Sequence, residues 1–263
     1  MQKAGACYKT RHLLRFCFTP RFFHHSQPQV LSGVAVDSKI MAKEMTLLWG
    51  SGSPPCWRVQ IALEEKNLQG YNQKLLSFEK GEHKSKEVMD MNPRGQLPAF
   101  KHKSYVLNES CAACIYLESQ FKSQGNKLIP DCPAEQALMY QRIFESLTLN
   151  QKMADVIYYT WKVPEPERHD SALKRNKETL SAEIKLWEGY LQATGPFLAG
   201  KNFSLADVTV YPSIAYIFRF GLCEERYPKL AAYYNSLKSR PSIKTTWPPT
   251  WLESQGSDML KDI

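Results

Sequence analysis

Residues Met45 to Lys66, MTLLWGSGSPPCWRVQIALEEK, change character twice. Met45 to Trp49 is a short apolar run, as a buried strand requires. Gly50, Gly52, Pro54 and Pro55 follow and predict a tight loop. From Cys56 the period changes: Val59, Ala62, Leu63 and Lys66 keep a helical rhythm to Asn67, and Gly70 stops it. A strand passing through a tight loop into a helix is the opening of an α/β unit.

Downstream, Tyr71 to Phe78 is a second strand candidate and Glu79 to Asp90 a polar loop with an irregular helix. Gln96 to Phe100 and Tyr105 to Leu107 predict two short strands joined by a polar turn. Ser110 to Phe121 predicts a helix, with Ser110 as its cap and Ala113, Ile115, Tyr116 and Leu117 as its apolar side. The order fits a thioredoxin-like domain, a mixed four-stranded sheet with helices on both faces, over residues 44–124. Residues 125–133 are polar, with Pro130 and Pro133, and read as a linker. Beyond it the strand signal vanishes, and residues 134–263 predict an all-helical domain. Ala134 to Trp161 is one long helical stretch, broken by Val163 to Pro166. Leu173, Leu180, Ile184, Trp187 and Leu191 mark one face of the next helix. Phe203 to Val208, FSLADV, carries a capping box between Ser204 and Asp207 and a staple from Phe203 to Val208. Tyr227-Pro228 starts a further helix, and Arg240-Pro241 closes it.

Upstream, residues 1–41 hold six basic residues against one acid, Asp37, so +5 of the net charge of +8 lies there and +3 in the body. That mild excess removes most support for nucleic-acid binding. No stretch approaches the roughly 18 apolar residues of a membrane span, so no membrane partner is expected. The extension is rich in Arg, His, Phe and Ser, which suits a mitochondrial transit peptide. An inert extension ahead of a start at Met41 fits equally well. Either way it is expected to be disordered or cleaved, leaving a cytoplasmic or mitochondrial protein. The seven cysteines form no visible disulfide framework, in keeping with a reducing compartment. Cys111 and Cys114 make a C-x-x-C, but without a second ligand pair they read as buried packing thiols, and no metal is expected.

Three spots carry chemistry. Ser53 precedes the first helix, where free amides and about half a positive charge favour an anion. A serine hydroxyl there can donate to a thiolate brought by a ligand; the tetrapeptide also reads as a plain proline-rich helix start. Leu97-Pro98 sits where a thioredoxin-like fold has a cis proline, and the Leu97 backbone can pair with an extended peptide. Glu109 and Ser110 open the last helix of the unit, offering an acid to an ammonium group and amides plus a hydroxyl to a carboxylate; a simple cap would look the same.

Together with SPPCWRVQIALEEK at 53–66, KGEHKS at 80–85, NPRGQLPAF at 92–100, NESCAACIYLE at 108–118, FLAGKNFSLADVTVYP at 197–212 and YPKLAAYYNSLKSRPSIK at 227–244, these spots make residues 45–250 resemble a cytosolic glutathione transferase of the serine type. The chain is most similar to the rho class, with theta-like and zeta-like traits. The resemblance implies that Ser53 holds the thiolate of glutathione and that Leu97 and Pro98 pair with its cysteinyl backbone. It implies that Glu109 and Ser110 clamp the γ-glutamyl end. His83 and Lys84 then lie near the glycyl carboxylate, and Gln96 lies beside the peptide. It further implies a homodimer, glutathione as co-substrate with no cofactor, and a small hydrophobic electrophile as partner. Met153, Tyr158, Tyr159, Trp161, Trp247 and Trp251 are candidates for the electrophile pocket, each also readable as core. Departures from related classes matter: proline at 54 and 55 weakens an isomerase reading, and serine rather than cysteine at 53 disfavours thiol exchange. The alternatives are a glutathione-dependent isomerase or peroxidase, or a non-catalytic glutathione-binding module of this fold.

Overall fold

The structure, a computed structural model, describes residues 42–263. The readings made of residues 1–41 lie outside the described residues.

Strand β1 (Met45–Trp49) is the inner, almost wholly buried strand expected from its apolar run. β2 (Asn72–Leu75) runs parallel to it at one edge, and all four of its residues are exposed. β3 (Ala99–His102) is antiparallel on the other side, and β4 (Tyr105–Leu107) closes the order β2-β1-β3-β4. Leu47 pairs with Gln73 on one side and Phe100 on the other. The third strand begins at Ala99 rather than Gln96, because Pro98 has no N–H to give to a ladder.

Helix α1 (Pro54–Glu65) follows β1, and α2 (Lys86–Met91) follows a short 3-10 turn at Glu82–Lys84 and packs on β3. α3 (Ser110–Gln120) packs on α1. Its N-cap is Glu109, so the expected Ser110 cap is corrected: Ser110 is the first residue inside the helix. The result is the anticipated mixed four-stranded α/β unit followed by helices.

The helical part opens with α4 (Pro133–Ile157), a turn at Tyr158 and the short α5 (Tyr159–Lys162), where one continuous helix was expected. α6 (Asp170–Thr194) lies along α4. α7 (Leu205–Arg219) is buried on every side from Leu205 to Ile217, as suits a helix that is apolar all round. It packs on α4 and on α1, fastening the helical part to the sheet unit. α8 (Pro228–Lys238) ends as predicted, but Pro241 then opens another helix, α9 (Pro241–Thr245). At a first helical position a missing N–H costs nothing, so the same residue stops one helix and starts the next. α10 (Thr250–Glu253) lies near the chain end.

Two buried ion pairs fix the ends of these elements. Lys66 donates to Glu118 at 2.7 Å and to the Asn126 carbonyl at 2.9 Å. Glu65 receives the Arg240 guanidinium at 2.6 and 2.7 Å, with Ser242 and Asn126 completing its shell.

Candidate active site

Ser53 is the N-cap of α1, with extended backbone angles of φ −84° and ψ 115°. Its Oγ accepts the Cys56 amide at a long 3.5 Å. Pro54 and Pro55 have no N–H at all, so the helix start carries fewer free amides than the sequence reading supposed. The Trp57 amide is used by the Ser53 carbonyl at 3.0 Å. The dipole remains, and the Ser53 hydroxyl, which accepts the Cys56 amide, also has a proton to give and lies within reach of the Cys56 sulfur. Cys56 itself is buried and receives the Gly50 amide at 3.4 Å. Burial pushes its thiol up to about 11, with the Ser53 and Gly50 hydrogen bonds only partly opposing this. It packs, as its helix position implied.

The loop ahead of Ser53 is tightly surrounded. A Cβ on Gly50 would run into the Phe78 ring, and Gly52 has φ +73° with the Trp251 indole against it. Ser51 Oγ shares a 2.8 Å hydrogen bond with Thr250 Oγ1 and accepts the Thr250 amide at 3.1 Å. Thus α10, whose Thr250 is 199 positions beyond Ser51, sits on the loop that presents Ser53.

Of the other predicted residues, His83 is linked to this loop through Phe78, and Ser110 to α1 through Arg58. The Leu97–Pro98 bond is cis. Leu97 is buried, and among the described residues no loop or cap hydrogen bond uses its amide or carbonyl. Gln96 is exposed, its carbonyl held by Asn92 Nδ2 at 2.8 Å. Lys84 is exposed and donates to the Arg94 carbonyl at 3.2 Å. His83 lies 5.4 Å from Phe78, the ring that covers Gly50, and its buried Nδ1 has no partner. Glu109 is exposed and 3.6 Å from Arg94. Ser110 is buried, and its Oγ accepts from Arg58 at 3.2 Å.

Arg58 is the residue that sequence reasoning missed. Only 3% exposed, it donates to the Thr209 carbonyl at 2.6 Å and to the hydroxyls of Ser110 and Ser213. It therefore links the helix that Ser53 caps to the start of α3 and to α7. Its only sequence signal was an arginine within an otherwise apolar helical run.

The electrophile-pocket candidates separate. Met153 is core, and the Tyr159 hydroxyl is taken up by the His169 backbone at 2.9 Å. Tyr158 shares a 3.1 Å bond with the Tyr216 hydroxyl and stacks on Trp161, which is 76% exposed. Trp247 and Trp251 meet Trp57 edge-on at 5.2 and 5.4 Å, and Trp251 also borders the Ser53 loop. A concavity of about 710 Å³ between α6 and the chain end shares no residue with this cluster, so volume is not what marks the site. Cys114 is a buried packing thiol as expected, while Cys111 is only half-buried.

Family models match both parts of the chain: "Glutathione S-transferase, N-terminal domain" over residues 52–120 and "Glutathione S-transferase, C-terminal domain" over residues 149–254. Glutathione S-transferase A of Pleuronectes platessa is 81% identical over 225 residues, covering 85% of this chain and all of that protein. Glutathione S-transferase 1 of Dianthus caryophyllus is 32% identical over 72% of this chain and 84% of its own length. The crystal structure of a glutathione S-transferase from the Antarctic clam Laternula elliptica superposes with a TM-score of 0.75 at 39% identity, covering 83% of this chain and 99% of that one.

Proposed function

This chain belongs to the glutathione S-transferase family and is a glutathione-conjugating enzyme, and we propose that Ser53 is the residue that holds the reacting thiolate. The observation that carries this is the composition of the α1 start. Two prolines remove amides, the Cys56 amide is turned onto Ser53 Oγ, and the Ser53 hydroxyl is left as the side-chain donor at this helix start. A charge-assisted hydrogen bond from that hydroxyl, added to the helix dipole, favours the thiolate over the thiol. The proton leaves to solvent. The sulfur attacks an electrophilic carbon, forming a C–S bond while a leaving group departs with its electron pair, or a conjugated system takes up the charge. Holding both reactants in adjacent pockets supplies proximity. No step calls for a metal or a cofactor.

In this reading the Leu97 backbone beside Pro98 pairs with the cysteinyl residue, with Gln96 alongside. Glu109 and Ser110 clamp the γ-glutamyl end, and His83 and Lys84 serve the glycyl carboxylate. The half-buried Trp247 and Trp251, packed on the buried Trp57, suit a hydrophobic electrophile, and a homodimer in the cytoplasm or mitochondrion is the expected working form. Cys56 is a poor rival nucleophile, since burial keeps it protonated at neutral pH.

The test is the ultraviolet thiolate absorbance of bound glutathione against pH, in the native chain and in Ser53→Ala. The native chain should hold the thiol below its free pKa, and the variant should return it toward the free value with kcat/KM down about a hundredfold. An unshifted thiol in the native chain, or full activity in Ser53→Ala, would overturn the assignment.

A further inference from the structure

The C-x-x-C of α3 departs from the packing role that its sequence suggested. Cys114 is buried, but Cys111 is only half-buried, and both are free thiols. They lie three positions apart on one helix, so they share a face. Burial, and after it the neighbouring Cys111, push the Cys114 thiol well above its ordinary value. The Cys111 sulfur takes Arg58 Nη1 at 3.8 Å, the same nitrogen that donates to Ser110 Oγ at 3.2 Å. A thiolate formed at Cys111 during exchange thus has a cation beside it. The helix start that carries this pair is lightly held. Glu109 is the N-cap, but its side chain caps nothing; its carbonyl accepts the Ala113 amide at 2.9 Å.

We propose that Cys111 and Cys114 form a redox switch, closed to a disulfide by glutathione disulfide and opened again by reduced glutathione. The Cys111 thiolate attacks one sulfur of glutathione disulfide; that S–S bond breaks, and one glutathione leaves with the electron pair. Cys114 gives its proton to water, attacks the Cys111 sulfur and expels the second glutathione. Two cysteine thiols are oxidised, one glutathione disulfide is reduced to two thiols, and the two protons pass through solvent to the departing thiolates. Residues three apart on a helix hold their Cβ atoms about 5–6 Å apart, whereas a disulfide holds them at about 3.8 Å. Closure therefore draws the first turn of α3 out of regular form, and a start without a side-chain cap yields more easily than the middle of a helix. Glu109 and Ser110 belong to that turn, so the oxidised chain loses its grip on the γ-glutamyl end. This consequence rests on the glutathione site proposed above, and formation of the disulfide does not. A bond made against the helix is readily reduced again, as a regulatory disulfide must be.

The experiment equilibrates the full chain in mixtures of reduced and oxidised glutathione, blocks the remaining thiols and digests with trypsin. Cleavage after Lys103 and Lys122 leaves Cys111 and Cys114, and no other cysteine, in one peptide. As the oxidised fraction rises, that peptide should appear unblocked and two hydrogens lighter. With the buffer glutathione removed, the Kd for S-methylglutathione, which has no thiol to reopen the bond, should be raised about tenfold and return with dithiothreitol. Cys111→Ser should keep one Kd throughout, and Cys114→Ser should accumulate glutathione on Cys111, the trapped intermediate. A peptide that stays blocked at both cysteines in the most oxidising mixture, or a disulfide that leaves the Kd unchanged, overturns the proposal while the site reading stands. If the reduced native chain fails to bind S-methylglutathione, the site reading falls, and the switch falls with it.

Discussion

Arg58 shows how much of a site one side chain can organise. It is buried in α1 with donors pointing to a carbonyl of α7, a hydroxyl of α7 and the hydroxyl of Ser110. No carboxylate pairs with it among these contacts; neutral acceptors from two distant elements carry its charge. In Arg58→Met, which keeps the length and loses the donors, we expect about 2–4 kcal/mol less stability in urea unfolding. KM for glutathione should rise, because the Ser110 hydroxyl loses the group that orients it. A variant with native stability would show that these bonds carry no net weight. None of this was legible in the sequence. Arginine is rarely buried, so one in a helical run reads as solvent-facing, and its Thr209 partner is 151 positions away. The Ser53 cap, by contrast, was legible, because it depends on residues within three positions of it.

Elements read well where their causes are local. The apolar run of β1 and the capping motif before α7 were both visible. At that cap the Asp207 carboxylate accepts the Ser204 amide at 2.9 Å, a bond spanning three residues. What the motif did not announce is that the same carboxylate also takes the Leu198 amide and the Tyr233 hydroxyl, at 3.0 and 3.1 Å. Asp207 is fully buried, and burial raises its pKa from 3.8 to about 6 against the pull of those donors. Between those two values the folded chain binds more protons than the unfolded chain. The contribution of this group is therefore fully present below about pH 4 and lost as pH rises through about 6. Urea midpoints of the native chain and of Asp207→Asn, measured across that range, should show this. The native midpoint should fall with rising pH relative to the variant; parallel curves would mean the carboxyl titrates normally. Elements read less well where proline has two uses. Pro98 trims β3 and Pro241 starts α9, because a missing N–H matters in a ladder and not at a helix start.

Across the whole molecule, the sheet unit and the helices depend on contacts that no local pattern predicts. Glu65 ends α1, and Arg240 lies 175 positions later, ahead of α9, yet the two form a two-point ion pair at 2.6 and 2.7 Å. Burial pushes the Glu65 carboxyl up, but hydrogen bonds from Arg240, Ser242 and Asn126 outweigh it, and its pKa falls below 4.5. A carboxyl lowered by folding stabilises above its unfolded pKa and loses that contribution as pH falls through the folded one. Glu65→Gln keeps the shape and removes the charge, leaving Arg240 without its partner. At neutral pH it should cost about 3–5 kcal/mol, the usual result of breaking a buried pair from one side. The gap between native chain and variant should then narrow steadily as pH drops below about 4.5, because the unfolded chain takes up a proton on Glu65 before the folded chain does, until the folded carboxyl is protonated too. This dependence runs opposite to that of Asp207, so the two variants should bend the acid unfolding profile in opposite directions. If Glu65→Gln left an offset that did not change with pH, the pair would be acting through shape and packing, and charge would not be what joins the α1 end to the distal helices.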